Sequence, residues 1–183
     1  MKLGLIVVAA GALSASPVLA VNILVNPGFE TGDLSPWYQG MDFGGLENWN
    51  ATSADAHSGT FSATDSGNKR IQQDFAPTPT SDITELSFWL KNVFGSINAV
   101  DFIYDDGTTD EKLLDPNDGE WHFYDMTAHL LPGKNLQTLG IWGVLDQGES
   151  RTYVDDAKID VVPAPGAAAL VGVAGLVGMR RRR

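Results

Sequence analysis

Between Val21 and Val162 apolar residues recur at every second position in short runs, and Gly, Asn, Asp and Pro cut the runs apart. Leu86, Phe88 and Leu90 alternate with Ser87, Trp89 and Lys91; Val100, Phe102 and Tyr104 alternate with Asp101 and Ile103; Trp121 and Phe123 alternate with His122 and Tyr124. Neighbouring side chains on an extended strand point to opposite faces, so each run predicts a strand with one inward face. No stretch sustains a helical period for three turns. Asp105-Asp106-Gly107, between Phe102-Ile103-Tyr104 and Lys112-Leu113-Leu114, predicts a hairpin, and Asp115 to Gly119 a second turn before Trp121. About ten short strands with this spacing predict an all-β fold, a β-sandwich of jelly-roll type.

The two ends of the chain read differently. Lys2, the apolar Leu3 to Leu13 and the small-residue site Val18-Leu19-Ala20 predict a signal peptide over residues 1–20, with a mature chain from Val21. Ser14, Ser16 and Pro17 break the apolar run, against an uncleaved anchor. At the other end Gly166 to Met179 carries no charge and precedes Arg180, Arg181, Arg182 and Arg183. A helix there satisfies its own backbone and could enter lipid with the arginines on the cytoplasmic side. A bilayer crossing takes about 20 apolar residues, so this shorter run needs Val161 and Val162, local thinning or snorkelling arginines. Four arginines after a Gly-rich stretch make a poor core helix, the alternative reading.

Pro163-Ala164-Pro165, the apolar run and the arginine cluster, in that order, resemble the PEP-CTERM sorting tail of exported bacterial proteins; Ala164 stands where that motif has Glu. The resemblance implies a temporary membrane anchor over residues 161–183, a processing enzyme of the exosortase type, and release or attachment at the cell surface.

Residues 21–160 remain as one predicted domain, large enough for a single core. All 23 acidic residues but only seven basic ones lie between Val21 and Val162, a formal charge of 7 − 23 = −16. Nucleic acid is excluded as a partner, because phosphate contacts need clustered Lys and Arg. Calcium or polar neutral ligands such as sugars suit this balance. The absence of cysteine excludes disulfides and metal-thiolate chemistry.

In the last run Tyr153, Asp155, Ala157 and Ile159 fall on one face and Val154, Asp156 and Lys158 on the other, which predicts a carboxylate on the core side. A buried charge needs a partner, and with few cations nearby a metal supplies one. The opening Asn22-Ile23-Leu24-Val25-Asn26-Pro27-Gly28-Phe29-Glu30-Thr31-Gly32-Asp33-Leu34 followed by Trp37, then Ala56-His57-Ser58-Gly59, Glu85 to Lys91, and the closing Tyr153-Val154-Asp155-Asp156-Ala157 together resemble the galactose-binding-like jelly rolls, including carbohydrate-binding modules. The resemblance implies a structural calcium held by Glu30, Asp155 and carbonyls near Asn26 to Gly28 and His57 to Gly59. Asp156 is the alternative to Asp155, and solvated strand-end acids the simpler reading.

Trp89, Tyr124 and Trp142 alternate opposite the apparent core residues of their strands, which predicts three aromatics on an outer sheet surface where sugar rings could stack. Asp101, Gln137 and Asp146 could accept hydroxyl hydrogen bonds beside them, while Trp37, Trp49 and Trp121 suit core or loop packing. Aromatic residues that merely cover a layer or pair across strands are the competing reading. No Gly-x-Ser-x-Gly elbow or His-Glu-x-x-His is present, His57, His122 and His129 lack metal-ligand spacing, and no local motif selects a catalytic acid pair. The sequence therefore predicts a non-catalytic exported module that binds polysaccharide, or alternatively a structural or adhesive surface protein without a sugar site.

Overall fold

The strands form where the alternation is clearest. β6 (Ile83–Val93) buries Leu86, Phe88 and Leu90, and β7 (Asn98–Tyr104) buries Val100, Phe102 and Tyr104, as their two-residue period requires. Gly107, at φ 82, turns the chain from β7 into β8 (Thr109–Leu114) at the predicted hairpin, donating its amide to the Tyr104 carbonyl. A computed structural model describes residues 19–45, 48–93, 98–115, 117–143 and 151–162. The leader up to residue 18, Asp146, and the tail from Pro163 to Arg183 lie outside these residues. Among the described residues no helix is long and apolar enough to cross a membrane.

The other strands are β1 (Val21–Asn22), β2 (Tyr38–Gly45), β3 (Asn50–Thr52), β4 (Ser62–Asp65), β5 (Gly67–Pro79), β9 (Trp121–Asp125), β10 (Asn135–Trp142) and β11 (Arg151–Val161). They pair antiparallel into two sheets, ordered β3-β4-β11-β6-β9 with β1 also on β11, and β2-β5-β10-β7-β8. The core lies between them: Ala63, Leu86, Phe88, Leu90, Val154 and Ile159 from the six-stranded sheet meet Ile71, Val100, Phe102, Leu139 and Ile141 from the five-stranded one. Burying each large side chain contributes about 1.5–3 kcal/mol, so this layer carries the fold without disulfides.

Two phases differ from the sequence reading. In β9 it is His122 and Tyr124 that pair with the inward Leu90 and Phe88, while Trp121 and Phe123 face outward. That strand is aromatic on both faces, so alternation alone does not choose its inner side. In β11 an extra residue is inserted between Asp155 and Lys158, where Asp156 adopts φ 48, and the alternation shifts phase. Val154 points inward with Ala157 and Ile159; Asp155 pairs with the outward-facing Trp89 and so lies on the outer side of its sheet. It is nonetheless fully buried, because the loop carrying His57 and Ser58 roofs it.

Candidate functional site

The outer face of the five-stranded sheet carries the richest set of convergent polar groups. Antiparallel register sets Tyr38 beside Gln72, Gln72 beside Gly140, Arg70 beside Trp142, and Gly140 beside Asp101, so β2, β5, β10 and β7 each contribute to one surface. The Tyr38 hydroxyl donates to Asp74 Oδ2 at 2.6 Å and accepts from Gln72 Nε2 at 2.6 Å. Gln72 Oε1 accepts from Arg70 Nε at 2.8 Å. A single oxygen of Asp101, Oδ2, then accepts from Arg70 at 2.6 Å and from Trp142 Nε1 at 2.9 Å. Asp101 Oδ1 is buried without a hydrogen-bond partner, an acceptor whose desolvation is not offset. Thr138 completes the row by donating to Asp74 at 2.7 Å.

The Arg70 guanidinium lies 5.6 Å from the Trp142 ring, and Phe43 stacks on that ring from β2. Gly140 makes this packing possible, since a Cβ there would stand 2.6 Å from Arg70 Cδ. Burial, and then the carboxylate of Asp74, push the Tyr38 phenol above its ordinary pKa, so it stays a neutral donor and acceptor. The surface thus combines fixed acceptors, one paired guanidinium, and two exposed rings, Tyr38 and Phe43.

The structure separates the three aromatics expected on one surface. Trp142 lies on the face just described, but Phe43 and Arg70 leave it only 7% exposed. Trp89 lies on the outer face of the opposite sheet, where His57 stacks on it at 3.7 Å and Phe123 packs at 5.5 Å. Tyr124 faces the core, stacks on Phe88 at 5.7 Å, and buries its hydroxyl without a hydrogen-bond partner among the described residues. Trp89, Tyr124 and Trp142 therefore do not share one surface: Trp89 and Trp142 face outward from opposite sheets, and the phase of β9 turns Tyr124 inward. Asp101 falls in the polar row as expected, and Trp37 and Trp49 are core residues. Trp121 lies half-buried on the outer face and packs on the loop between β3 and β4, its ring against His57 and its indole bonded to Asp55. Sequence reasoning missed Arg70, Gln72, Asp74 and Phe43. The signal was the outward set of β5, Arg70, Gln72 and Asp74 at two-residue spacing.

Glu30 and Asp155 reach the same loop. Glu30 accepts the amides of Thr60 and Phe61 at 2.9 Å, and Asp155 Oδ2 accepts those of His57 and Ser58 at 2.9 and 3.1 Å. Asp156 binds the His57 ring and the Ser58 hydroxyl. Among the described residues no three acidic or histidine side chains gather their donor atoms as a ready metal cluster. Yet a Cβ on Gly28 would lie 3.5 Å from both Asp155 Oδ1 and Asp156 Oδ1 and 3.8 Å from Glu30 Cγ, so three acids border one small space. Burial, with the charge of Asp156 adding to it, pushes the Asp155 carboxyl up to about 6. A desolvated carboxylate in such company fits a hard cation.

No family model and no curated protein matches the chain. Solved structures do. A carbohydrate-binding module, TmCBM61 in complex with β-1,4-galactotriose, is 20% identical with a TM-score of 0.53, covering 75% of this chain and 97% of its own. A family 16 carbohydrate-binding module is 20% identical with a TM-score of 0.53, covering 75% and 98%. The enzymatically active domain of the bacteriophage CBA120 tailspike protein 4 is 16% identical with a TM-score of 0.54, over 77% of this chain and 21% of that one. The fold is that of the jelly-roll carbohydrate-binding modules.

Proposed function

We propose that this domain is a non-catalytic glycan-binding module and that the polysaccharide lies across the outer face of the five-stranded sheet. The observation that supports this most is the continuous row Tyr38, Gln72, Arg70, Asp101, with Trp142 bonded into it. Sugar hydroxyls would donate to Asp74, Asp101 and Gln72, Arg70 would donate to ring or hydroxyl oxygens, and the apolar C–H face of a sugar would stack on Tyr38 or on Trp142. The neighbouring folds, one in complex with β-1,4-galactotriose and one a family 16 carbohydrate-binding module, favour the same class of ligand. A structural or adhesive role without a sugar site is the second reading, favoured by the cover that Phe43 places over Trp142.

The chain is proposed to be exported, held for a time in the inner membrane by residues 161–183, processed by an exosortase-type enzyme, and displayed at the surface or in the extracellular matrix. Calcium is proposed as a structural cofactor held by Glu30 and Asp155, where it would supply positive charge to the buried Asp155 carboxylate.

The test is retention of the protein on a panel of soluble and insoluble neutral polysaccharides, alongside Asp101→Asn and Arg70→Ala. Retention lost in both variants, with melting behaviour close to wild type, supports the site. Retention unchanged in both, or no retention by the wild type, sinks it.

A further inference from the structure

At one end of the sandwich the core stops being apolar. Continuing inward from Ala63, Val154, Leu90 and Val100, the next inward positions are Asp65, Thr152, Asn92 and Asn98. Register places Thr152 between Asp65 and Asn92 in the six-stranded sheet, and Asn98 reaches across from the other sheet to donate its Nδ2 to Thr152 Oγ1 at 2.9 Å and to the Trp142 carbonyl at 3.1 Å. Asp65 is fully buried and Asn98 is 1% exposed. One carboxylate oxygen, Asp65 Oδ1, and the amide oxygen, Asn98 Oδ1, have no hydrogen-bond partner among the described residues. Asp65 Oδ2 accepts the Gly67 amide, the Ser66 amide also favours the charged carboxyl, and a Cβ on Gly143 would collide with Oδ2. Lys69, inward-facing from β5, turns its ammonium to Asn48 Oδ1 at 2.7 Å and toward Asp42 at 3.9 Å.

Both orphan groups are acceptors, one formally charged, and both belong to neighbours of Thr152: Asp65 by register on the adjoining strand and Asn98 through its amide nitrogen. A water between them could satisfy two acceptors but would add no positive charge to the part that Lys69 already supplies to the buried carboxylate. A hard cation answers both needs, since calcium and its like take carboxylate, amide and hydroxyl oxygens with little demand for fixed geometry. We propose that Asp65 and Asn98, with the Thr152 hydroxyl beside them, hold a hard metal cation between the two sheets, at a site separate from Glu30 and Asp155. It would pin the polar end of the sandwich, directly below the backbone of Trp142.

The full chain, stripped with chelator and titrated with calcium by calorimetry, tests this. The expected result is a binding step that Asp65→Asn abolishes and Asp155→Asn retains, together with at least tenfold tighter binding of that step in Asn98→Asp, which adds a second carboxylate. The gain in Asn98→Asp keeps the test decisive where Asp65→Asn folds poorly. A titration left unchanged by Asp65→Asn, or a step lost only in Asp155→Asn, overturns the proposal. So does an Asp65→Asn protein that melts higher than wild type with and without calcium, the mark of a site filled by water alone.

Discussion

Phe43 lies flat on Trp142, with ring centroids 5.4 Å apart and planes 9° from parallel. It occupies the position that a stacked sugar ring would take on the indole. Phe43→Ala should therefore expose Trp142, seen as stronger acrylamide quenching of tryptophan fluorescence, and polysaccharide should restore protection. Trp142→Ala should weaken retention at least tenfold, about 1.4 kcal/mol or more. Retention of Trp142→Ala equal to wild type contradicts a role for the indole.

Gly140 offers a way to disturb the polar row without touching its members. An added methyl would meet Arg70 Cδ and lift the side chain from the sheet. Gly140→Ala should weaken polysaccharide binding by roughly the amount that Arg70→Ala does, with a smaller loss of stability than a core truncation, which costs about 2–5 kcal/mol. Tight binding in Gly140→Ala shows that Arg70 does not need its present position.

Chelation should lower the melting temperature. If calcium binds at a thousandth of its free concentration, mass action contributes roughly 4 kcal/mol. Glu30→Gln or Asp155→Asn should reduce the calcium-dependent part of that shift. A melting curve identical in calcium and in chelator leaves the acids as hydrogen-bond anchors for their loop and nothing more.

Tyr124 buries a hydroxyl that has no hydrogen-bond partner among the described residues. Tyr124→Phe should leave polysaccharide binding untouched and raise stability by up to about 1 kcal/mol, because an unsatisfied buried group costs its desolvation. A fall in stability or in retention shows that the hydroxyl has a partner or a ligand.

Asp125 accepts both the hydroxyl and the amide of Thr127, which hold its carboxyl below the ordinary carboxylate pKa. The stabilisation is present in full above the unfolded value, near 3.9, and is lost as pH falls through the lower folded value. Asp125→Ala should melt below wild type at pH 6, with a gap that narrows toward pH 2. A constant gap rules out the carboxylate as its source.

The inner faces of β6 and β7 and the turn at Gly107 were legible in the sequence because each follows from residues two to four positions apart. The inner side of β9 was not, since Trp121, Phe123 and Tyr124 suit either face. Nor was the side of Asp155, which depends on the one-residue insertion at Asp156 and on a roof supplied by His57 and Ser58, nearly 100 positions away. The polar row was legible only in part, as the two-residue spacing of Arg70, Gln72 and Asp74 on β5. Asp101 meets Arg70, and Gln72 meets Tyr38, only through register across four strands.

Val21 pairs with Val161, so the first and last strands of the domain lie side by side in the six-stranded layer. The polar row faces out from the other layer. A stalk joined at either terminus would thus grip the module by its back, leaving the opposite broad side free to lie along a polymer.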